Sequence, residues 1–181
     1  VGVDTDGDGA NDSFVGTVTN AGKAEISGIE IEGQIRMSEN MSAIFAANVL
    51  DADFTDYIVN GVNIAGDRQV QNTPEDMAYL ALVYDTAMMG GVASFNVNMV
   101  RKGAVSQFEI PNPELDQGSY SMFNASATWT SADEQWRVGL HGKNLTNKEV
   151  RTSGYCFGTG TGPANACPSS LGLENNTTVF Y

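Results

Sequence analysis

From Ile29 to Met37 the chain alternates without a break. Ile29, Ile31, Gly33, Ile35 and Met37 fall on one side; Glu30, Glu32, Gln34 and Arg36 fall on the other. Period two over this length is a β-strand with one apolar and one polar face, and a helix would gather no apolar stripe from the same residues. The turn SENM (38–41) leads into a second strand. There Ala43, Phe45, Ala47 and Val49 alternate with Ile44, Ala46, Asn48 and Leu50, and the run becomes acidic at Asp51, Asp53 and Asp56. Ile58 to Glu75, with its Gly, Asn and Pro, reads as a long loop. DMAYLALVYDT (76–86) is a third strand, AMMGG a tight turn, and VASFNVNMVRKGAVSQF (92–108) a fourth strand. EIPNPELDQGSYS is again a loop, because Pro111 and Pro113 cannot donate to a ladder. In the fifth strand Phe123, Ala125, Ala127 and Trp129 oppose Asn124, Ser126, Thr128 and Thr130. ADEQ (132–135) then turns the chain into a sixth strand within 136–150, with Trp136, Val138 and Leu140 against Arg137, Gly139, His141 and Lys143.

The connections alternate short and long. SENM, AMMGG and ADEQ are short, and the segments between them are long. That asymmetry describes an all-β, antiparallel up-and-down meander of about six strands, with tight turns at one end and large loops at the other, the layout of outer-membrane barrels. Ten residues at roughly 3.3 Å each, tilted by about 40°, cover roughly 25 Å, the height of such a barrel's apolar band. Trp129 and Trp136 flank the ADEQ turn, and Phe54, Tyr57 and Phe108 lie near loop ends, where an aromatic girdle is expected. A soluble β-sandwich shares the alternation. The discriminating feature is what the apolar face of Phe123, Ala125, Ala127 and Trp129 meets: lipid in a barrel, a second sheet in a sandwich.

Composition narrows the function. The chain of 181 residues holds 22 acidic and 9 basic residues and has a formal net charge of −13. No basic patch is available for a phosphate backbone, so nucleic acid is not an expected partner. One histidine leaves histidine-based catalysis poorly supplied. His141 could face Ser126 from the neighbouring strand, but nothing marks that pair as a nucleophile and base, and no catalytic residue is expected. No run of apolar residues is long enough for a transmembrane helix, which says nothing against spanning strands. Cys156 and Cys167 are separated by ten residues of Gly-, Thr- and Pro-rich loop. That is not a zinc or redox spacing, and it points to a disulfide formed in an oxidising compartment.

Four segments, in order, resemble the C-terminal part of the barrel of TonB-dependent outer-membrane receptors. They are NAGKAEISGIEIEG (20–33), LDADFTDY (50–57), QNTPE (71–75) and, most specifically, WRVGLHGKNLTNKEV (136–150). The resemblance implies a piece of a barrel of roughly 22 strands. It divides the chain into an acidic extracellular loop (1–23), strands with short periplasmic turns and long extracellular loops (24–150), and an extracellular loop (151–181) before a last strand. The chain starts at Val1 and ends at VFY. It is therefore expected to be a fragment without the plug and TonB box, forming an open, curved sheet. The resemblance also implies an outer-membrane receptor and active transporter of a Gram-negative bacterium. Its solute would be scarce, such as siderophore-iron, cobalamin or an oligosaccharide, and its energy would come from the TonB complex. Further expected partners are outer-membrane lipid, lipopolysaccharide and the barrel-assembly machinery.

The first loop carries DTDGDGAND. Asp4, Asp6, Asp8 and Gly9 occupy the first, third, fifth and sixth positions of an EF-hand-like calcium loop, and Asp12 the ninth; the twelfth is Val15, which cannot ligate. Calcium at Asp4, Asp6, Asp8 and Asp12 is an expectation about a loop that decorates the protein, and no cofactor is required. An alternative is a secreted or surface β-rich calcium-loop binding module, adhesin-like in role.

Overall fold

The alternation around Ile29 belongs to an edge strand of one antiparallel sheet. The structure is a computed structural model that describes residues 2–3, 13–14, 22–113, 115–156 and 177–180. Six strands follow one another across the sheet: β3 (Gly22–Arg36), β4 (Met41–Val59), β6 (Asp76–Met88), β7 (Gly91–Lys102), β8 (Tyr120–Ser131) and β9 (Arg137–Gly142). A short strand, β5 (Val62–Asn63), folds back on the far end of β4, giving seven strands in all. Two small ladders stand apart: β1 (Gly2–Val3) with β2 (Ser13–Phe14), and β10 (Ser153–Cys156) with β11 (Thr177–Phe180). The sheet is an open meander, and β3 and β9 form its two edges.

Register separates the faces. One rung joins Ile35, Ala43, Leu82, Val97, Ala125 and Gly142; the adjacent one joins Arg36, Ser42, Val83, Asn96, Ser126 and His141. The apolar face therefore carries Ile29, Ile31, Phe45, Val49, Leu80, Leu82, Phe95, Val97, Phe123, Trp129, Val138 and Leu140. No second sheet covers it among the described residues, and Ile29 is 78% exposed. Phe45 lies over Gly33, its cross-strand partner, where a Cβ would come within 2.7 Å of the ring. Apart from Ala43, Ala81 and Ala93, apolar side chains of the sheet keep contact with solvent, and no large side chain is fully buried among the described residues.

The turns obey the expected asymmetry. Met89 and Gly90, at φ 52° and 71°, make the two-residue hairpin between β6 and β7; both sit in the left-handed region that a type I′ turn requires. After β8, the Ser131 hydroxyl donates to Asp133 at 2.5 Å and accepts the Trp136 N–H at 3.0 Å. Both wide connections of the sheet, 60–75 and 103–119, lie at the opposite end.

Several element bounds depart from the sequence reading. The first strand starts at Gly22, well before Ile29, because β4 extends past its β6 partner and pairs with it as far as Tyr57. Ile58 and Val59 belong to β4: Asn60-Gly61, both with positive φ, close a hairpin onto β5 within the segment read as loop. The fourth strand stops at Lys102 because its partners run out: Lys102 pairs with Met77 and Tyr120, at the ends of β6 and β8, and Gly103 makes a last cross-strand bond to the Asp76 carbonyl at 2.7 Å. The sixth stops at Gly142, because Asn144 and Asn147 take left-handed φ and GKNLTNK turns. Within 151–181, read as loop, β10 and β11 pair.

Candidate functional site

Polar groups gather in two connected places. The first is the polar face of the sheet, which carries Glu30, Glu32, Gln34, Asn48, Tyr79, Asn96, Asn98, Asn124, Ser126, Thr128 and His141. Across its middle the amides form a ladder. Asn98 Nδ2 donates to Asn96 Oδ1 at 2.9 Å, and Asn124 Nδ2 donates to Asn98 Oδ1 at 2.8 Å. The Asn144 N–H donates to Asn124 Oδ1 at 2.9 Å. Neutral amides at neighbouring positions along and across strands satisfy one another and still present donors and acceptors to whatever lies against the polar face. The ladder also fixes the GKNLTNK turn, where Asn144 and Lys148 exchange two hydrogen bonds at 3.0 and 2.8 Å.

The second place is the loop cluster at the wide-connection end. The first wide loop folds back through its 3-10 turn, Ala65–Asp67. That sets the Arg68 guanidinium 5.4 Å from the centroid of the Tyr57 ring, with Phe54 edge-on to the same ring at 5.3 Å. The Tyr57 hydroxyl donates to Glu109 of the second wide loop at 3.1 Å, and the Gln69 N–H donates to the Glu109 carbonyl at 2.8 Å. The Ser106 hydroxyl donates to Gln69 Oε1, and the Asn72 N–H to the Ser106 carbonyl. The two loops therefore form one body. Its interior holds Val105, Leu115 and Asn112, the last 8% exposed. The Asp116 carboxylate accepts the N–H groups of Gln107 and Asn112.

Between upper β4 and these loops lies a cavity of about 590 Å³. Asp51, Asp53, Glu75, Asp76 and Asp116 supply its charge, and no Lys or Arg lines it. Arg101 meets Asp76 at 2.9 Å where the sheet gives way to the loops, in the only ion pair among the described residues.

The sequence candidates fare differently. Asp4, Asp6, Asp8 and Asp12 lie outside the described residues, as do Cys167 and the side chain of Cys156; the Cys156 backbone pairs with Thr177 in β10. Register does set Ser126 directly opposite His141, without a hydrogen bond between them. Phe54 is not a member of a lipid-facing girdle. Unbroken alternation from Asn48 puts Phe54 on the polar face, and a bulge that leaves Thr55 unpaired opposite Lys23 and Ala24 brings Tyr57 onto the same face to meet it. Trp129, by contrast, stands on the apolar face beside the narrow turns and donates its indole N–H to the Met88 carbonyl at 2.8 Å. The stack on Arg68 and the amide ladder went unread. The recurrence of Asn at 96, 98 and 124 was the only signal for the ladder.

A two-faced open wall of this kind has a match among known families. Residues 1–145 fit the TonB dependent receptor-like β-barrel family. The chain belongs to that family. Pesticin receptors of Yersinia enterocolitica and Yersinia pestis are 30% and 29% identical to it over 145 residues, covering 79% of this chain and 20% of theirs. The crystal structure of the ferric yersiniabactin uptake receptor FyuA from Yersinia pestis superposes with a TM-score of 0.67 at 24% identity. That match spans 79% of this chain and 22% of the receptor, and it shows the shared fold. The chain thus spans about a fifth of the length of the curated relatives it matches. The family match includes the segment DTDGDGAND.

Proposed function

We propose that this chain forms part of the wall of an outer-membrane barrel that takes up a scarce solute with energy from TonB, in a Gram-negative bacterium. The observation that carries the proposal is the wall itself: a family barrel segment with a continuous uncovered apolar face and a polar face ending in an ordered loop cluster. On this proposal the apolar face meets lipid, the narrow turns lie in the periplasm, and the wide loops face outward, where lipopolysaccharide surrounds them. The barrel-assembly machinery inserts the strands. A plug with its TonB box, outside this chain, fills the concave side against the amide ladder.

The relatives named for pesticin and for ferric yersiniabactin make a ferric chelate the first solute to test. The acidic lining at the loop end disfavours a polyanionic chelate, through repulsion that salt screens only partly. The test uses the intact gene product in a strain lacking its own ferric-chelate receptors. Cells should accumulate iron from a neutral or cationic ferric chelate, and deletion of TonB should abolish uptake. If no ferric chelate is taken up, but cobalamin or an oligosaccharide is, the solute class is wrong. Uptake that persists without TonB would sink the transport mechanism.

A further inference from the structure

We infer that Arg151 is a positioning residue that latches the second wide loop to the chain following β9 and so presets the outward-facing surface. The loop contains one helical turn, in which the Asn112 carbonyl accepts the N–H groups of Leu115 and Asp116 at 3.0 and 2.7 Å. Pro113 suits the start of such a turn, since its missing donor would have had no partner there. Carbonyls three residues apart on a helical turn point the same way. One guanidinium nitrogen of Arg151 therefore reaches both, donating to the Pro113 carbonyl at 3.1 Å and the Asp116 carbonyl at 2.8 Å. A cation at the carbonyl end of a helical turn is favourably placed.

The grip is reciprocal. The Arg151 N–H donates to Gln117 Oε1 at 2.6 Å, and Gln107 Nε2 donates to the Arg151 carbonyl at 3.5 Å. Four hydrogen bonds thus join residue 151 to four residues of the 103–119 loop. On one side of Arg151 the chain leads back to the turn held by Asn144 and the amide ladder. On the other, Thr152 donates to the Phe180 carbonyl at 2.8 Å, at the foot of the β10–β11 ladder. Arg151 therefore stands where the sheet's polar face, the second wide loop and the last ladder meet. Side-chain donors to backbone carbonyls require no particular loop sequence, so the latch can persist while loop surfaces change.

The test has an arm that needs no solute. In outer-membrane vesicles carrying the intact protein, chymotrypsin cleavage after Phe108, which is partly exposed in this loop, reports opening of the latch. Wild type and Arg151→Lys, whose single nitrogen can serve both carbonyls, should resist alike. Arg151→Met, which keeps length and loses the donors, should be cut about tenfold faster, as expected for losing charge-assisted hydrogen bonds. Equal cutting of wild type and Arg151→Met overturns the inference. If Arg151→Met does not assemble, Gln117→Leu, which removes the acceptor of the Arg151 N–H, should raise cleavage after Phe108, and unchanged cleavage overturns the inference equally. A second arm rests on the transport proposal. Arg151→Met should raise the half-saturating solute concentration about tenfold at an unchanged maximal rate per receptor, with rescue by Lys. A loss of maximal rate alone would mark Arg151 as structural and not positioning. The proteolysis arm stands even if no solute is found.

Discussion

Leu140 and Leu115 are one residue type under opposite conditions. Leu140, in the edge strand β9, is 77% exposed; Leu115, in the second wide loop, is 2% exposed. The sheet has no interior of its own. Its inner strands are held by cross-strand ladders on both sides, and its apolar side chains are covered by no other sheet among the described residues. The loop cluster has what the sheet lacks, a small core of Val105 and Leu115, with hydrogen bonds around it donated by Gln69 and Arg151 and accepted by Glu109 and Asp116. One region depends on its surroundings for burial, and the other carries its burial within it. In a membrane wall the usual relation of strand and loop is thus reversed: the loops pack, and the strands serve as a surface.

Two neighbouring residues break this comparison most sharply. Ala125→Lys places a charge on the apolar face, and Ser126→Lys places the same charge one position on, on the polar face. For the barrel of the intact protein in lipid, Ala125→Lys should cost about 2–4 kcal/mol near the bilayer midplane, while Ser126→Lys should cost under about 1 kcal/mol. Urea unfolding followed by the gel mobility of the folded barrel measures both. Equal costs would mean that the two faces are not in different media.

Next in size is Leu115→Ala, which should cost about 2–3 kcal/mol, because a small core near the surface can partly collapse around the loss. The effect should stay in the loops. Proteolysis in 103–119 should rise while the unfolding midpoint of the barrel hardly moves. A matching shift of that midpoint would show the two regions to be one cooperative unit, contrary to the contrast drawn from their burial. Gly103→Ala tests the seam between them. A Cβ there would lie 2.9 Å from Asp76 Oδ1 and 3.0 Å from the Asp76 carbonyl oxygen, and backbone cannot yield as a side chain can. About 1–2 kcal/mol of strain is expected, felt by both proteolysis and the midpoint.

The same contrast explains what was legible from the residues alone. Phe123, Ala125, Ala127 and Trp129 announce their shared face because period two is a local rule and nothing interrupts it. Strand ends were misjudged where a distant contact decides them. Lys102 is the last ladder residue because its partner strands end beside it, at Asp76 and Tyr120, and nothing between Val92 and Phe108 signals that. The Asn60-Gly61 hairpin was readable as turn chemistry but sat inside a segment taken whole as loop. Tyr57 was misplaced by a bulge at Thr55, whose extra residue resets the alternation beyond it and sets Tyr57 beside Phe54. Arg151 was the least legible. Its partners are carbonyls of Pro113 and Asp116, and a backbone acceptor leaves no mark on sequence.

The smallest expected effect lies at the opposite end, in the β8–β9 turn. The Asp133 carboxyl is held below its ordinary value of 3.8, first by the Ser131 hydroxyl and then by the Gln135 N–H. A depressed carboxylate contributes stability that is fully present above its unfolded value and is lost as pH falls through the lower folded value. Because Asp133 is fully exposed, water screens most of this contribution. The turn should therefore loosen only in acid. Amide exchange of Gln135 and Trp136 should quicken below about pH 4, relative to the intrinsic rate, in wild type. In Asp133→Asn that step should be absent, and in Ser131→Ala exchange should be faster at every pH, because the hydroxyl also accepts the Trp136 N–H. If Asp133→Asn keeps the acid-dependent step, another group governs the turn, and its hydrogen bonds at 2.5 and 3.2 Å are not what holds it in solution.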